Sequence, residues 1–167
     1  MTSTILKVET SSRLSIPNKL LEELGWTKEG ITSVECLVVF GATGGIQVAP
    51  VDSPLGQQRE RLKKLSRPPQ SDESDVEWVQ LMRFFSALPD VTLHENGRQL
   101  RMTIPKEVEE LGILKRTEGT KLAVVAIGQI LEIWTLEKWK SYQEQLGPMR
   151  SRLIDASADD LARRETS

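Results

Sequence analysis

The chain has one cysteine, one histidine, no apolar run of eighteen residues and no surplus of basic charge, and each shortage removes a class of function. A lone Cys36 excludes an internal disulfide. Its place inside the apolar stretch Val34 to Phe40 predicts a core residue in a reducing compartment. His94 has no cysteine or second histidine at ligand spacing, so neither a structural metal site nor a conventional triad or dyad is expected. The start, MTSTILKVE, lacks a basic region followed by an apolar block, which predicts neither export nor membrane insertion. Glu22-Glu23, Glu109-Glu110 and Asp159-Asp160 are adjacent in sequence, hence splayed on a surface rather than convergent. No enzyme, cofactor or small-molecule substrate is indicated. With 24 acidic and 22 basic residues, a formal charge of −2 and a pI near 5.6, no part of the chain is globally basic. The charge is −2 over 1–52 and zero over both 53–90 and 91–167, so any contact with nucleic acid must come from locally concentrated Lys and Arg.

What the chain does contain is a unit that occurs twice. Residues 101–112, RMTIPKEVEELG, compress a strand, an abrupt stop and a short helix into a dozen residues. Leu100, Met102 and Ile104 alternate with Arg101 and Thr103, the period of a half-buried strand. Pro105 cannot donate to a ladder but suits the first turn of a helix, and Gly112 supplies a left-handed terminus. The earlier copy is RLSIPNKLLEELG, residues 13–25, offset by 88 residues at the Ile-Pro step and one residue longer between the Pro and the Gly. An internal repeat follows.

Around these units the chain reads as β-β-α-β-β twice. Ile5 to Val8 and Arg13 to Ile16 are strands, Pro17 to Leu24 a helix, and Val34 to Phe40 and Gly45 to Ala49 a hairpin. Gly41, Gly44 and Gly45 (GATGG) are hairpin-turn residues rather than a phosphate cradle, because a strand and not a helix follows. Pro54, Gly56, Pro68-Pro69 and SDESD are loop chemistry; the polar run Gln57 to Leu65, with RERLKK as a solvated face rather than a phosphate-binding one, and the apolar-faced run Val76 to Leu88 are helices of a connector. From Val91 the first pattern returns. Asn96-Gly97 between VTLHE and RQLRMTI predicts a type I′ hairpin, the helix Pro105 to Leu111 follows, and Leu122 to Ile127 with Ile130 to Trp134 make the second hairpin. A helix from Leu136 to about Leu146 precedes a polar tail. The fold class is therefore α+β and β-rich, with repeats at 4–52 and 90–142, a connector at 53–89 and a tail at 143–167.

The basic residues at hairpin tips and strand entries, Lys7, Arg13, Arg98 and Arg101, are the candidate binding residues. Arg13 and Arg101 each stand three residues before the Ile of the Ile-Pro step. Repeats paired about a pseudo-twofold axis would bring them to one sheet edge, where paired guanidiniums reach phosphates or a major groove that admits a two-stranded ribbon.

The repeated unit with its Arg-x-x-Ile-Pro step resembles the swapped-hairpin (SpoVT/AbrB) fold, and two copies joined by a helical connector resemble the MraZ family. LAVVAIGQILEIWTLEKWKSY, residues 122–142, and FFSALPDVTL, residues 84–93, are similar to that family's C-terminal pattern and its lead into the second repeat. The likeness covers 5–142. It implies a duplicated β-barrel of interleaved hairpins, ring-like homo-oligomers, and sequence-specific binding to repeated promoter sites in double-stranded DNA, in the cytoplasm at the nucleoid. The family's Asp-x-Lys-Gly-Arg signature is only partly kept. Its five positions are Glu9, Thr10, Ser11, Ser12 and Arg13 in the first repeat. In the second, anchoring on Ile104-Pro105 makes the arginine Arg101. Anchoring on the turn, which the hairpin reversal favours, makes it Arg98 and leaves Gln99 to Arg101 inserted. The Lys is missing from both copies. A weaker, less salt-sensitive module is expected, for which a ring would compensate by avidity. The alternative is a degenerate scaffold or antitoxin-like protein-binding module that uses the tail.

Overall fold

The computed structural model describes residues 2–26, 30, 32–41, 44–64 and 72–165. They fall in two compact units, residues 1–135 and residues 136–167. In the first unit the strands are β1 (Thr2–Lys7), β2 (Arg13–Ile16), β3 (Ser33–Phe40), β4 (Ile46–Pro50), β5 (Val91–Asn96), β6 (Gln99–Thr103), β7 (Lys121–Ile127) and β8 (Ile130–Thr135). Its helices are α1 (Asn18–Leu24), α2 (Pro54–Lys64), α3 (Asp72–Ser86) and α4 (Lys106–Glu110). The eight strands form one antiparallel sheet in the order β1-β7-β8-β4-β3-β5-β6-β2. A single bridge between Glu9 and Arg13 links the two ends and nearly closes it as a barrel. This is the β-rich α+β architecture expected of an AbrB- or MraZ-like fold.

Strand pairing alternates between the two halves of the chain. β1 pairs with β7, β5 with β3, β2 with β6 and β4 with β8. In the β2–β6 ladder Leu14 lies opposite Met102, with Arg13 opposite Thr103 and Ser15 opposite Arg101. Superposing the Ile-Pro steps makes Leu14–Met102 the centre of a pseudo-twofold relation. Leu14, Ile16, Met102 and Ile104 are fully buried there, and the main core extends from them to Val48, Val124 and Ile133. Neither half could bury these residues by itself, because each inward side chain rests on strands of the other.

The short helices end in the way their sequences dictate. Gly25 has φ +71, the Gly25 N–H donates to Glu22 O and the Trp26 N–H to Leu21 O. Gly112 repeats this at φ +71, with its N–H on Glu109 O and the Ile113 N–H on Val108 O. Both are Schellman terminations, in which a left-handed glycine lets two otherwise orphaned carbonyls be satisfied.

From Cys36 to Val39, β3 is buried on both faces because α2 and α3 cover its outer side. Leu37, Val39, Ala49 and Phe85 form a second cluster with Leu55, Leu62 and Phe84 packed on it. This is why CLVVF, after the exposed Glu35, reads as a continuous apolar run rather than an alternating one. α2 begins at Pro54 and α3 at Asp72, so Pro54, Gly56 and most of SDESD are helical rather than loop. Pro68-Pro69 and Leu65 lie outside the described residues, as do Ala42 and Thr43 of the expected GATGG turn. Gly41 donates its N–H to Gly45 O at 2.8 Å across that turn.

RERLKK is only in part a solvated face. Arg61, Lys63 and Lys64 are exposed, but Arg59 is buried and donates two hydrogen bonds to Asp90, at 2.5 and 3.0 Å. These bonds, with burial opposing them, raise the guanidinium pKa still further. The pair ties α2 to the entry of β5. Asp90→Ala leaves a buried guanidinium unpaired and should destabilise the protein by about 2–4 kcal/mol, below the range for a wholly buried pair because Asp90 is half exposed. Arg59→Ala should cost less, since the remaining carboxylate rehydrates; urea midpoints of the two variants check the order.

The second unit is α5 (Leu136–Glu165), a helix that continues through Gly147-Pro148 where the sequence predicts a stop near Leu146. Proline removes one internal hydrogen bond, but the helix-forming residues on both sides carry the backbone across it. The Trp139 and Tyr142 rings lie 5.9 Å apart on it. Among the described residues no helix is long and apolar enough to cross a membrane.

Candidate nucleic-acid interface

Side-chain alternation on β2, β6 and β5 turns Leu14, Met102 and Leu93 inward and Arg13, Ser15, Arg101, Thr103 and His94 outward. Arg13 is fully exposed and Arg101 half-buried. The Arg101 guanidinium lies 3.5 Å from the Glu9 carboxylate, and its Nε–H donates to Ser15 Oγ at 3.5 Å. Arg13, His94, Glu95, Asn96, Arg101 and Thr103 together line a shallow recess of about 260 Å³.

The ladders decide between the two alignments of the second repeat. Arg13 bridges to Glu9 across its own reversal, and Arg101 pairs with His94 across its own. Arg101 is thus the counterpart of Arg13, and the preference for Arg98 is corrected. Three residues separate Glu9 from Arg13, whereas six separate His94 from Arg101, so the second hairpin reaches further by three residues. Arg98 belongs to that extension, exposed at its tip.

The tip also differs from the expected type I′ turn. Asn96 pairs with Gln99, so the two loop residues are Gly97 and Arg98. Gly97 has φ +68 and Arg98 is not left-handed, the sign pattern of type II′, which needs glycine only at its first position. Two-residue loops of both types suit strand twist, and ladder register, not the Asn-Gly dipeptide, sets which residues they contain.

Lys7 lies at the end of β1, on the far side of the Glu9–Arg13 closure from Arg101. Its ladder partner is Lys121, also exposed. Two lysines directly opposite one another in a sheet are mutually repulsive, and among the described residues neither has an ion-pair partner. Sequence reasoning missed Lys121, for no local signal joins positions that far apart; the β1–β7 register alone does. Register places Lys121, Lys7, Arg13 and Arg101 along the outer surface of neighbouring strands, with Glu9 among them.

The first reversal carries backbone strain. Ser11 and Ser12 have φ of +62 and +58, left-handed values that favour glycine. Ser12 stands where the family pattern has Gly, and its Oγ–H donates to Arg116 O at 3.1 Å. Ser11→Gly should stabilise the protein by about 0.5–1 kcal/mol, the left-handed cost less the added freedom of an unfolded glycine. Ser12→Gly should gain less, because it also loses the bond to Arg116; chemical denaturation of the two variants separates these contributions.

Among the described residues no three His, Cys, Asp or Glu side chains are grouped to hold a metal. Cys36 is fully buried, and burial first, then Asp90 and Asp52, push its thiol pKa up to about 12, so it stays neutral.

A duplicated β-β-α-β-β chain in one nearly closed barrel, with basic residues on the shared β2–β6 ladder, is of the AbrB- and MraZ-like class. No family model matches the chain. It is 27% identical over 137 residues to the "Transcriptional regulator MraZ" of Clostridium acetobutylicum, covering 82% of each. The protein of the same name from Finegoldia magna is 24% identical over 155 residues, 91% of this chain and 92% of the relative. That of Clostridium beijerinckii is 28% identical over 139 residues, 82% of each. These matches support an MraZ family assignment for the chain.

Proposed function

We propose that the protein is a transcriptional regulator that binds double-stranded DNA as a homo-oligomer on repeated operator sites. Residues 4–52 and 90–142 act as swapped-hairpin repeats, 53–89 as connector and 143–167 as tail. The observation that carries this reading is the pseudo-twofold placement of Arg13 and Arg101 on the outward side of one ladder, flanked by the Lys7–Lys121 couple. Arg13, Arg101, Lys7 and Lys121 take phosphates, while the longer β5–β6 ribbon carries Arg98 toward a groove. Such a regulator works in the cytoplasm, at the nucleoid, and needs no cofactor.

Fluorescence anisotropy with duplex DNA from upstream of the protein's own gene, at two salt concentrations, tests it. About four neutralised phosphates per protomer predict a log–log salt slope near −3.6, so a fourfold rise in salt should weaken binding about 150-fold. Absence of binding at low salt would rule the reading out. A second reading is favoured by Glu9, whose carboxylate already engages Arg101: the chain is a protein-binding scaffold with weak or no DNA binding. Co-purification of a partner that depends on residues 147–167 supports that version instead.

A further inference from the structure

Arg13 and Arg101 are equivalent in place but not in surroundings. Arg101 is held by Glu9, which reaches it from the first repeat at 3.5 Å. The pseudo-twofold relation through Leu14–Met102 carries Glu9 onto His94 and Arg101 onto Arg13, because each of Glu9 and His94 is the strand partner of its own repeat's arginine. Where the first repeat offers a carboxylate, the second therefore offers an imidazole. A carboxylate neutralises a guanidinium; an imidazolium cannot. Consistently, Arg13 has no ion-pair partner among the described residues, yet it lines one recess with His94, Asn96 and Thr103. Arg101 and Glu95 line the same recess, so two guanidiniums, an imidazole, an amide and a hydroxyl share one surface with a single acidic group, a balance of donors suited to an oxyanion.

We propose that His94 is a ligand of the DNA phosphate held beside Arg13, and that protonation of its imidazole strengthens binding. This rests on the DNA-binding reading above and adds to it a residue and a pH dependence. Charged groups reach His94 from each neighbouring strand. Arg101 faces it from β6 and Arg13 shares its recess from β2, both of one sign with an imidazolium. Glu95 follows it on β5, Glu35 lies beyond its ladder partner Ser33 on β3, and Glu9 is occupied by Arg101. With two guanidiniums close by, the imidazolium is better accommodated when a phosphate oxygen sits between them than when the recess holds water. Imidazole is the side chain that ordinarily gains its proton between pH 8 and pH 6, and His94 is the chain's one histidine.

The test measures duplex affinity at pH 6.0 and 8.0, at fixed salt, for the wild type, His94→Gln and His94→Lys. The position is exposed, so both substitutions leave the fold intact. Wild-type affinity should rise about five- to tenfold at the lower pH. His94→Gln should be flat at the wild-type pH 8.0 level, and His94→Lys flat at or above the pH 6.0 level. The inference is overturned if the wild type binds DNA equally at both pH values, or if His94→Gln keeps the wild-type dependence. Failure of the wild type to bind duplex at either pH is a different result: it removes the DNA-binding reading, and this inference with it.

Discussion

Replacing Arg13, Arg98 and Arg101 together by Ala is expected to lower affinity for duplex DNA between about 60- and 500-fold at 0.1 M salt. Each phosphate contact contributes roughly 0.9 to the salt slope, which at that concentration is about eightfold in affinity. The lower bound counts Arg13 as one phosphate and gives Arg98, as a groove contact of about 1 kcal/mol, a similar weight. The upper bound counts Arg101 as well, whose guanidinium must first leave Glu9. The slope should fall by about 0.9 if Arg13 alone is lost to phosphate and by about 1.8 with Arg101 as well, while the part due to Arg98 should persist at high salt. Arg13 and Arg98 are exposed and support no packing, so the variant should keep the wild-type thermal midpoint to within a few degrees. Unaltered binding by this variant would remove all three residues from the interface. Lys7→Ala/Lys121→Ala separates phosphate contact from groove contact, for it should weaken binding to all duplexes alike. That pair should also become slightly more stable once the facing charges are gone.

The largest effect on stability is expected at the centre of the β2–β6 ladder. Leu14 and Met102 are fully buried and face each other across the join between the two halves. Leu14→Ala or Met102→Ala should each cost about 2–5 kcal/mol, from lost transfer energy and the cavity left behind. The double variant should differ from the sum by about 0.5 kcal/mol or more, since one enlarged cavity replaces two and the partners relax together. Strict additivity would mean that the two residues do not share a packing site, and hence that the interleaved pairing is incorrect. Guanidinium titrations of the two single variants and the double variant supply the cycle. All three should unfold in a single transition, because neither half retains its own core once the ladder opens.

The outcome at the hairpins shows where reading from sequence stops. Asn96-Gly97 correctly marks a reversal, since a glycine there can adopt φ +68. The dipeptide cannot reveal that Asn96 pairs with Gln99, because register depends on which side chains the opposite strands bury. Anchoring the repeats on the turn consequently misassigned the counterpart of Arg13. Arg59 shows a related limit. Its neighbours in RERLKK are solvated, and what removes Arg59 from water is Asp90, which approaches only after α2 has packed on β4. Pro148 illustrates a third kind of departure: a local breaker lowers helix stability by a finite amount, which the flanking turns of α5 outweigh.

Period-two and helical patterns, glycine terminations and the two Ile-Pro steps are local, because they follow from dihedral preferences and from which side of each element is apolar. Those alone were enough for the duplicated β-β-α-β-β order and the buried thiol. Cross-chain register was not among them: Lys7 facing Lys121, Glu9 reaching Arg101, and His94 standing where a carboxylate would have held Arg13 all depend on how strands far apart in the chain align. Burial of the whole core selects that alignment, and only a folded barrel contains it.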